Sequence, residues 1–240
     1  MIRHLVTATA TIALAACNVS VGKSETRDAG ASTTRQYQVG AFDKIEVAGP
    51  YDVTVTTGKD VAVAATGGAN LLDETEVEVK GDTLVIRPKK KISIRWTGNR
   101  GKASFTVSTA ALTGAAIAGS GDIKVDKGSG DFRGQIAGSG SLDIAQMAAR
   151  AAHFEIAGSG NIRAKGTAES AEADIAGSGN IDASELVAKT AKVGIAGSGG
   201  VLLQATDAAE VDVAGSGNVD ISGGAKCKVS KHGSGNVTCG

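Results

Sequence analysis

The chain has 240 residues with 25 Lys and Arg against 25 Asp and Glu, and this even balance excludes the strongly basic footprint of a nucleic-acid partner. It holds 34 Gly but only 2 Pro, and 42% of its residues are hydrophobic against 3% aromatic. That is neither collagen nor a Pro/Gly-rich disordered tract, and the length suits one domain or one repeat array.

Residues 1–17, MIRHLVTATATIALAAC, place Arg3 and His4 before an uncharged run from Leu5 to Ala16. This is the layout of a secretory signal, and the run is shorter than the ~20 apolar residues of a permanent transmembrane helix. Leu14-Ala15-Ala16-Cys17 resembles the bacterial lipobox. The resemblance implies cleavage before Cys17, with two acyl chains on its thiol and a third, such as palmitate, on its new amine. Two or three chains anchor a protein stably to a membrane, so the membrane is the first expected partner. Residue 18 is Asn, and the resemblance to Gram-negative lipoproteins, in which Asp at this place signals inner-membrane retention, implies the outer membrane as the expected address, on either face. Residues 18–38 are polar and rich in Ser and Thr, and they read as a flexible tether.

From residue 39 to the C-terminus a single β domain is expected. Its first part, 39–115, alternates in FDKIEVAGPYDVTV, VAVAAT, TEVEVKGDTLVIRP, ISIRW and ASFTV, which predicts strands, with Gly81-Asp82 as a hairpin turn. Val47-Ala48-Gly49-Pro50 reads as a degenerate copy of a corner that recurs later. This divergent part is expected to cover one end of a stack, because bare strand edges invite aggregation. Within it, RPKKKISIRWTGNRGK gathers Arg87, Lys89, Lys90, Lys91, Arg95, Arg100 and Lys102 around Trp96 with no acid. Such a stretch either grips an anionic envelope polymer, with Trp96 stacked on a sugar, or is a solvated edge where Lys blocks pairing. The second reading is favoured.

The second part, 116–240, repeats Gly-Ser-Gly with its first Gly at 119, 138, 158, 177, 197, 215 and 233, at spacings of 19, 20, 19, 20, 18 and 18. A period this short means one solenoid turn per repeat. Two positions before the first Gly stand Ile117, Ile136, Ile156, Ile175, Ile195 and Val213. Four positions after it stand Ile123, Leu142, Ile162, Ile181, Val201, Val219 and Val237. These offsets share one parity, which is strand alternation. The prediction is a parallel β-helix with Gly-Ser-Gly corners that stack closely and reach angles closed to other residues. The residue after each corner (Asp122, Ser141, Asn161, Asn180, Gly200, Asn218, Asn236) is expected to tolerate a left-handed turn and, as Asn, to form a ladder along the axis. AQMAARAAHFEI (145–156) has helical propensity, yet Ala152, Phe154 and Ile156 keep the strand alternation, and the repeat register prevails.

Cys227 and Cys239 lie six positions before and after the last corner, on the inward parity. In an oxidising compartment this predicts a disulfide closing the last coil. No catalytic or metal site is expected, and no cofactor. The two Gly-Ser-Gly-Asp units at 119–131 lack the glycine pattern of calcium-binding nonapeptides. His153 and His232 are isolated, and no Ser stands in a strand-to-helix elbow.

The lipobox, FDKIEVAGPYDVTV and the serial AGSGNI units together resemble the putative auto-transporter adhesin, head GIN domain family, over roughly 40–222. The resemblance implies a right-handed parallel β-helix and an adhesion label, without catalytic residues. The expected function is a non-enzymatic envelope lipoprotein presenting a binding or adhesion surface, with an anionic glycan or other envelope component as its partner. The alternative is an envelope scaffold that self-associates through stacked coils. A polysaccharide-cleaving enzyme comes third, because coils of 18–20 residues leave no length for the long loops that flank such active sites.

Overall fold

The computed structural model of the chain describes residues 25–89, 94–97 and 102–240. The expected signal segment and Cys17 lie outside them. In chain order the elements are β1 (Glu25–Asp28), β2 (Ser32–Tyr37), β3 (Lys44–Ala48), β4 (Tyr51–Thr57), β5 (Ala62–Gly68), α1 (Ala69–Asp73), β6 (Thr75–Lys80), β7 (Thr83–Pro88), β8 (Ile94–Thr97) and β9 (Ala103–Thr109). The coils follow as β10 (Gly114–Gly119), β11 (Asp122–Gly138), β12 (Ser141–Gly158), β13 (Asn161–Gly177), β14 (Asn180–Gly197), β15 (Gly200–Gly215), β16 (Asn218–Ser222), β17 (Lys226–Gly233) and β18 (Val237–Cys239). No helix among the described residues is long and apolar enough to cross a membrane.

The coils form the expected parallel β-solenoid, about 7 turns spaced about 19 residues apart. Each corner registers on the next, so that Ile117, Ile136, Ile156, Ile175, Ile195 and Val213 form one buried column. A coil has three sides, because two consecutive outward residues twice reset the parity. In β12, Leu142 and Ile144 point inward, Ala145 and Gln146 outward, and Met147 inward again, before Ala152, Phe154 and Ile156 form the side that leads to the next corner. Register irregularities fall at these resets, at Ile144/Met147 and Ala183/Val187, which is how the stack absorbs coils of unequal length. The Ala-rich 145–156 stretch is thus strand, because each inward side chain has a column to join.

The corner needs its two glycines for different reasons. The first takes φ between +127° and +138° at all seven copies, a region that L side chains avoid. The second approaches the rung below so closely that a Cβ on Gly179 would strike the Gly160 carbonyl oxygen and Ile156. The residue after the corner does not take the left-handed conformation expected of it, since no described non-glycine residue has positive φ. It begins the next strand instead, and its side chain bonds along the stack. Asn180 Nδ2 donates to Asn161 Oδ1 at 3.2 Å, and Asn218 Oδ1 accepts the Asn236 N–H at 3.1 Å. Gly200 interrupts this ladder.

At the N-terminal end, chain order and spatial order part. Val47 and Ala48 register on Ile117 and Ala118, and Gly49 has φ +121°, so the degenerate corner is a genuine rung made of β3 and β4. The chain then leaves through β5, α1 and β6 and returns as β7 and β9, which stack on the far side of β3 and β4. Antiparallel β6 on β7, joined at Gly81-Asp82, and β5 on β9 cover that end. The Tyr51 ring meets Phe105 edge-on at 5.6 Å, and its hydroxyl bonds Thr75 Oγ1 at 3.1 Å.

The tether expected over 18–38 is corrected in its described part, 25–38. β2 pairs with β5, and β1 pairs with β8. Polar Ser32–Tyr37 alternates, sets Tyr37 against Phe105 at 6.4 Å and pairs Arg35 with Asp73 at 2.7 Å. An edge strand of a cap needs one packed face only, which a polar composition can supply.

At the other end β17 stacks on β15 and β18 on β16. Cys227 and Cys239 are joined as a disulfide with Cα atoms 6.5 Å apart, closing the last coil.

Candidate interaction surface

The side of each coil that leads to the corner stacks into one long parallel sheet, and three outward columns run across it. The column five positions before the corner reads Arg133, His153, Glu172, Lys192, Glu210, Lys228. His153 Nδ1 meets Glu172 Oε2 at 2.8 Å, Lys192 donates to Glu172 at 2.9 Å, and Lys228 donates to Glu210 at 2.7 Å. The Lys192 hydrogen bond holds the Glu172 carboxyl below its usual range, with His153 adding to it, and Lys228 does the same for Glu210. Other outward charges also pair between rungs, as in Arg163–Asp182 at 3.2 Å, Lys165–Glu185 at 2.7 Å and Arg150–Asp131.

The next column, three positions before the corner, reads Gln135, Glu155, Asp174, Gly194, Asp212, Ser230. Here carboxylates follow one another, and among the described residues neither Asp174 nor Asp212 has an ion pair. Burial, then the charges of Glu172 and Glu155, push the Asp174 carboxyl above its usual range. Gly194 leaves room for it, since a Cβ there would collide with the Asp174 carboxylate. The last column is Ala137, Ala157, Ala176, Ala196, Ala214, ending in His232. Alanine beside acid produces a groove of about 390 Å³ across several rungs, walled by Glu155, Asp174 and Asp212 and ended by Ser230 and His232. Its lining residues come from successive rungs, so the groove runs along the solenoid axis. Among the described residues no group of three or more His, Cys, Asp or Glu is placed to hold a metal ion.

The basic stretch has a different setting. β7 stacks on β3 and β9 on β4, so the chain passes from β7 to β9 where later coils use their four-residue corner. Arg87 is engaged by Glu76 at 2.6 Å and Glu78 at 3.3 Å. Lys89 Nζ donates to the Asp73 carbonyl at 2.7 Å, and Lys102 lies 3.5 Å from Asp52. Lys90, Lys91 and Arg100 lie outside the described residues. Arg95 and Trp96 are described by backbone alone, on β8 opposite Thr26 and Arg27 of β1. The described members are therefore held by neighbours rather than gathered round one site. The acidic groove was missed in the sequence because its residues stand 18–20 positions apart, and only the register brings them together. The signal was present in the column of alanines before each corner.

Residues 41–225 match the family model described as putative auto-transporter adhesin, head GIN domain. A putative adhesin from Bacteroides fragilis has a similar structure, with a TM-score of 0.77 and 27% identity over 87% of this chain and 96% of its own. A putative lipid binding protein from Parabacteroides distasonis matches with a TM-score of 0.71 and 26% identity over 90% of this chain and 100% of its own. A putative adhesin from the same species, 23% identical, shares the fold with a TM-score of 0.70 over 90% and 99% of the two chains. No curated protein matches the chain.

Proposed function

The chain belongs to the putative auto-transporter adhesin, head GIN domain family, and on that premise we propose that it is a non-enzymatic lipoprotein of the bacterial envelope whose solenoid binds a ligand along its acidic groove. Cys17 carries the lipid anchor in this reading, and the outer membrane is the site of attachment. The observation that carries the binding surface is the run of Glu155, Asp174 and Asp212 beside an alanine floor, next to a column in which Glu172 and Glu210 are neutralised by Lys192 and Lys228. Carboxylates without a cationic partner among the described residues, Glu155 being held only by the Gln135 amide at 2.8 Å, over small apolar side chains suit a ligand with cationic groups on an extended backbone. Neighbouring structures bear the names of adhesins and of a lipid binding protein, which accords with binding as the role. The basic stretch around Trp96 remains a separate candidate surface for anionic envelope polymers, tested by Arg95→Ala and Trp96→Ala.

Ala196→Trp tests the groove, because Ala196 points outward and the indole fills the trough without entering the core. An array of envelope and host-surface polymers, cationic ones included, is screened with the wild type and this variant. The expected result is a ligand whose affinity falls at least about tenfold, or ~1.4 kcal/mol, in the variant. Equal retention of every captured ligand by both proteins overturns the groove as the binding surface.

A further inference from the structure

We propose that the last rung of the solenoid is a docking edge for an extended acidic segment of another protein, which joins β17 as one more strand. The edge is free, for β17 pairs with β15 alone and β18 with β16 alone among the described strands. It is charged in one sense only. Residues 223–240 contain Lys226, Lys228, Lys231 and His232 and no Asp or Glu. Lys228 is shared with Glu210, whereas Lys226 has no carboxylate partner among the described residues. On its inner side the edge is apolar at Val229, while Lys231, two residues on, folds its Nζ onto the Gly235 carbonyl at 2.9 Å. Val229 continues the column of Phe154, Ala173, Val193 and Val211, but it is 46% exposed where Val211 is 0% exposed. A strand laid here would set acids beside Lys226 and Lys228 on the outer face and an apolar residue beside Val229 on the inner one, an alternating acidic and apolar pattern. Strand addition to a sheet edge takes its affinity from main-chain hydrogen bonds and its selectivity from the alternate side chains.

A second copy of the chain fits this edge poorly. Its own last rung brings the same positive charge, and its other end is covered by β5 and β6, with Glu76 and Glu78 of β6 already held by Arg87. The disulfide ties the two strands of the last rung together, so the edge is held in shape before a partner arrives. The site lies at the end of the stack, where Ser230 and His232 of β17 also end the groove, but the proposal does not rest on the ligand proposed there.

The test uses the full chain, purified in detergent, and a fluorescent eight-residue peptide alternating Glu and Val. Two control peptides accompany it, one alternating Lys and Val and one the Glu-Val sequence N-methylated at alternate residues. Saturable binding of the Glu-Val peptide is expected, with neither control binding. Affinity should fall at least about tenfold in Lys226→Gln/Lys228→Gln, whose exposed positions leave the fold unaffected, as circular dichroism would show. Absence of binding means that the lysines merely bar the edge and overturns the proposal. Equal binding of the N-methylated peptide overturns it in favour of charge alone, and an unchanged affinity in the double variant removes the site. A dimer that the peptide dissociates would make a second copy the true occupant.

Discussion

A single methyl group tests the corner. Gly177 has φ +136°, and a Cβ there would strike the carbonyl oxygen of Gly158 in the rung below. Gly177→Ala therefore combines backbone strain with an inter-rung clash and should cost about 2–3 kcal/mol or more. Its neighbour Ser178 points outward, so Ser178→Ala should stay within ~0.5 kcal/mol. Urea unfolding of both variants measures the contrast, and similar losses at the two positions would show that the corner is not set by its glycines. The corner was legible from sequence because glycine recurred at fixed spacing. The role of the residue after it was not. Asn suits both a left-handed turn and an axial ladder, and only the backbone angles and the Asn180–Asn161 bond decide for the ladder.

Between elements, the coils are joined by their core columns and also by charges that neutralise one another from rung to rung. Glu172 accepts from Lys192 above and meets His153 below, and its carboxyl is held under the usual range. A lowered folded-state value means that this contribution is complete above the ordinary carboxylate range and is lost as pH falls through the lowered value. Glu172→Gln should therefore reduce the urea midpoint at pH 7 by the equivalent of roughly 0.5 kcal/mol, since the pair is partly exposed and screened. The difference should fade below about pH 4. A difference that persists at pH 2 would mean that the side chain stabilises by packing. At this scale the regular coils from β10 onward were readable, because each inward residue recurs at one offset from the corner. The rung of β7 and β9 was not, because it lacks the Ala-Gly-Ser-Gly phrase and stacks out of chain order. The strands β1 and β2 were hidden for a related reason: their polar composition matches a tether, and their pairing partners lie tens of residues away. The acidic groove was hidden because it belongs to no element. It is a property of columns, and columns exist only once the coils are in register.

For the whole molecule, a solenoid whose coils all bury the same face has no inherent length, so its two ends determine whether it stays single. The N-terminal end is closed by antiparallel strands. The C-terminal end is stopped chemically, because Lys231 stands in the column of Ile117, Ile136, Ile156, Ile175, Ile195 and Val213. Its Nζ donates to the Gly235 carbonyl at 2.9 Å, placing a cation where the next rung would bury its own apolar residue. An inward charge on the outermost strand is a known barrier to edge-to-edge stacking, and it opposes the reading of this protein as a self-stacking scaffold. Lys231→Ile restores the column and leaves a second apolar side chain open beside Val229. Sedimentation velocity over a hundredfold concentration range should then show association in the variant and a single species in the wild type. Should both stay single, the stop lies elsewhere, and the remaining positive charge of Lys226 and Lys228 is the next group to remove. Should the wild type itself assemble, Lys231 is no stop at all, and the scaffold becomes the better account of what the stack is for.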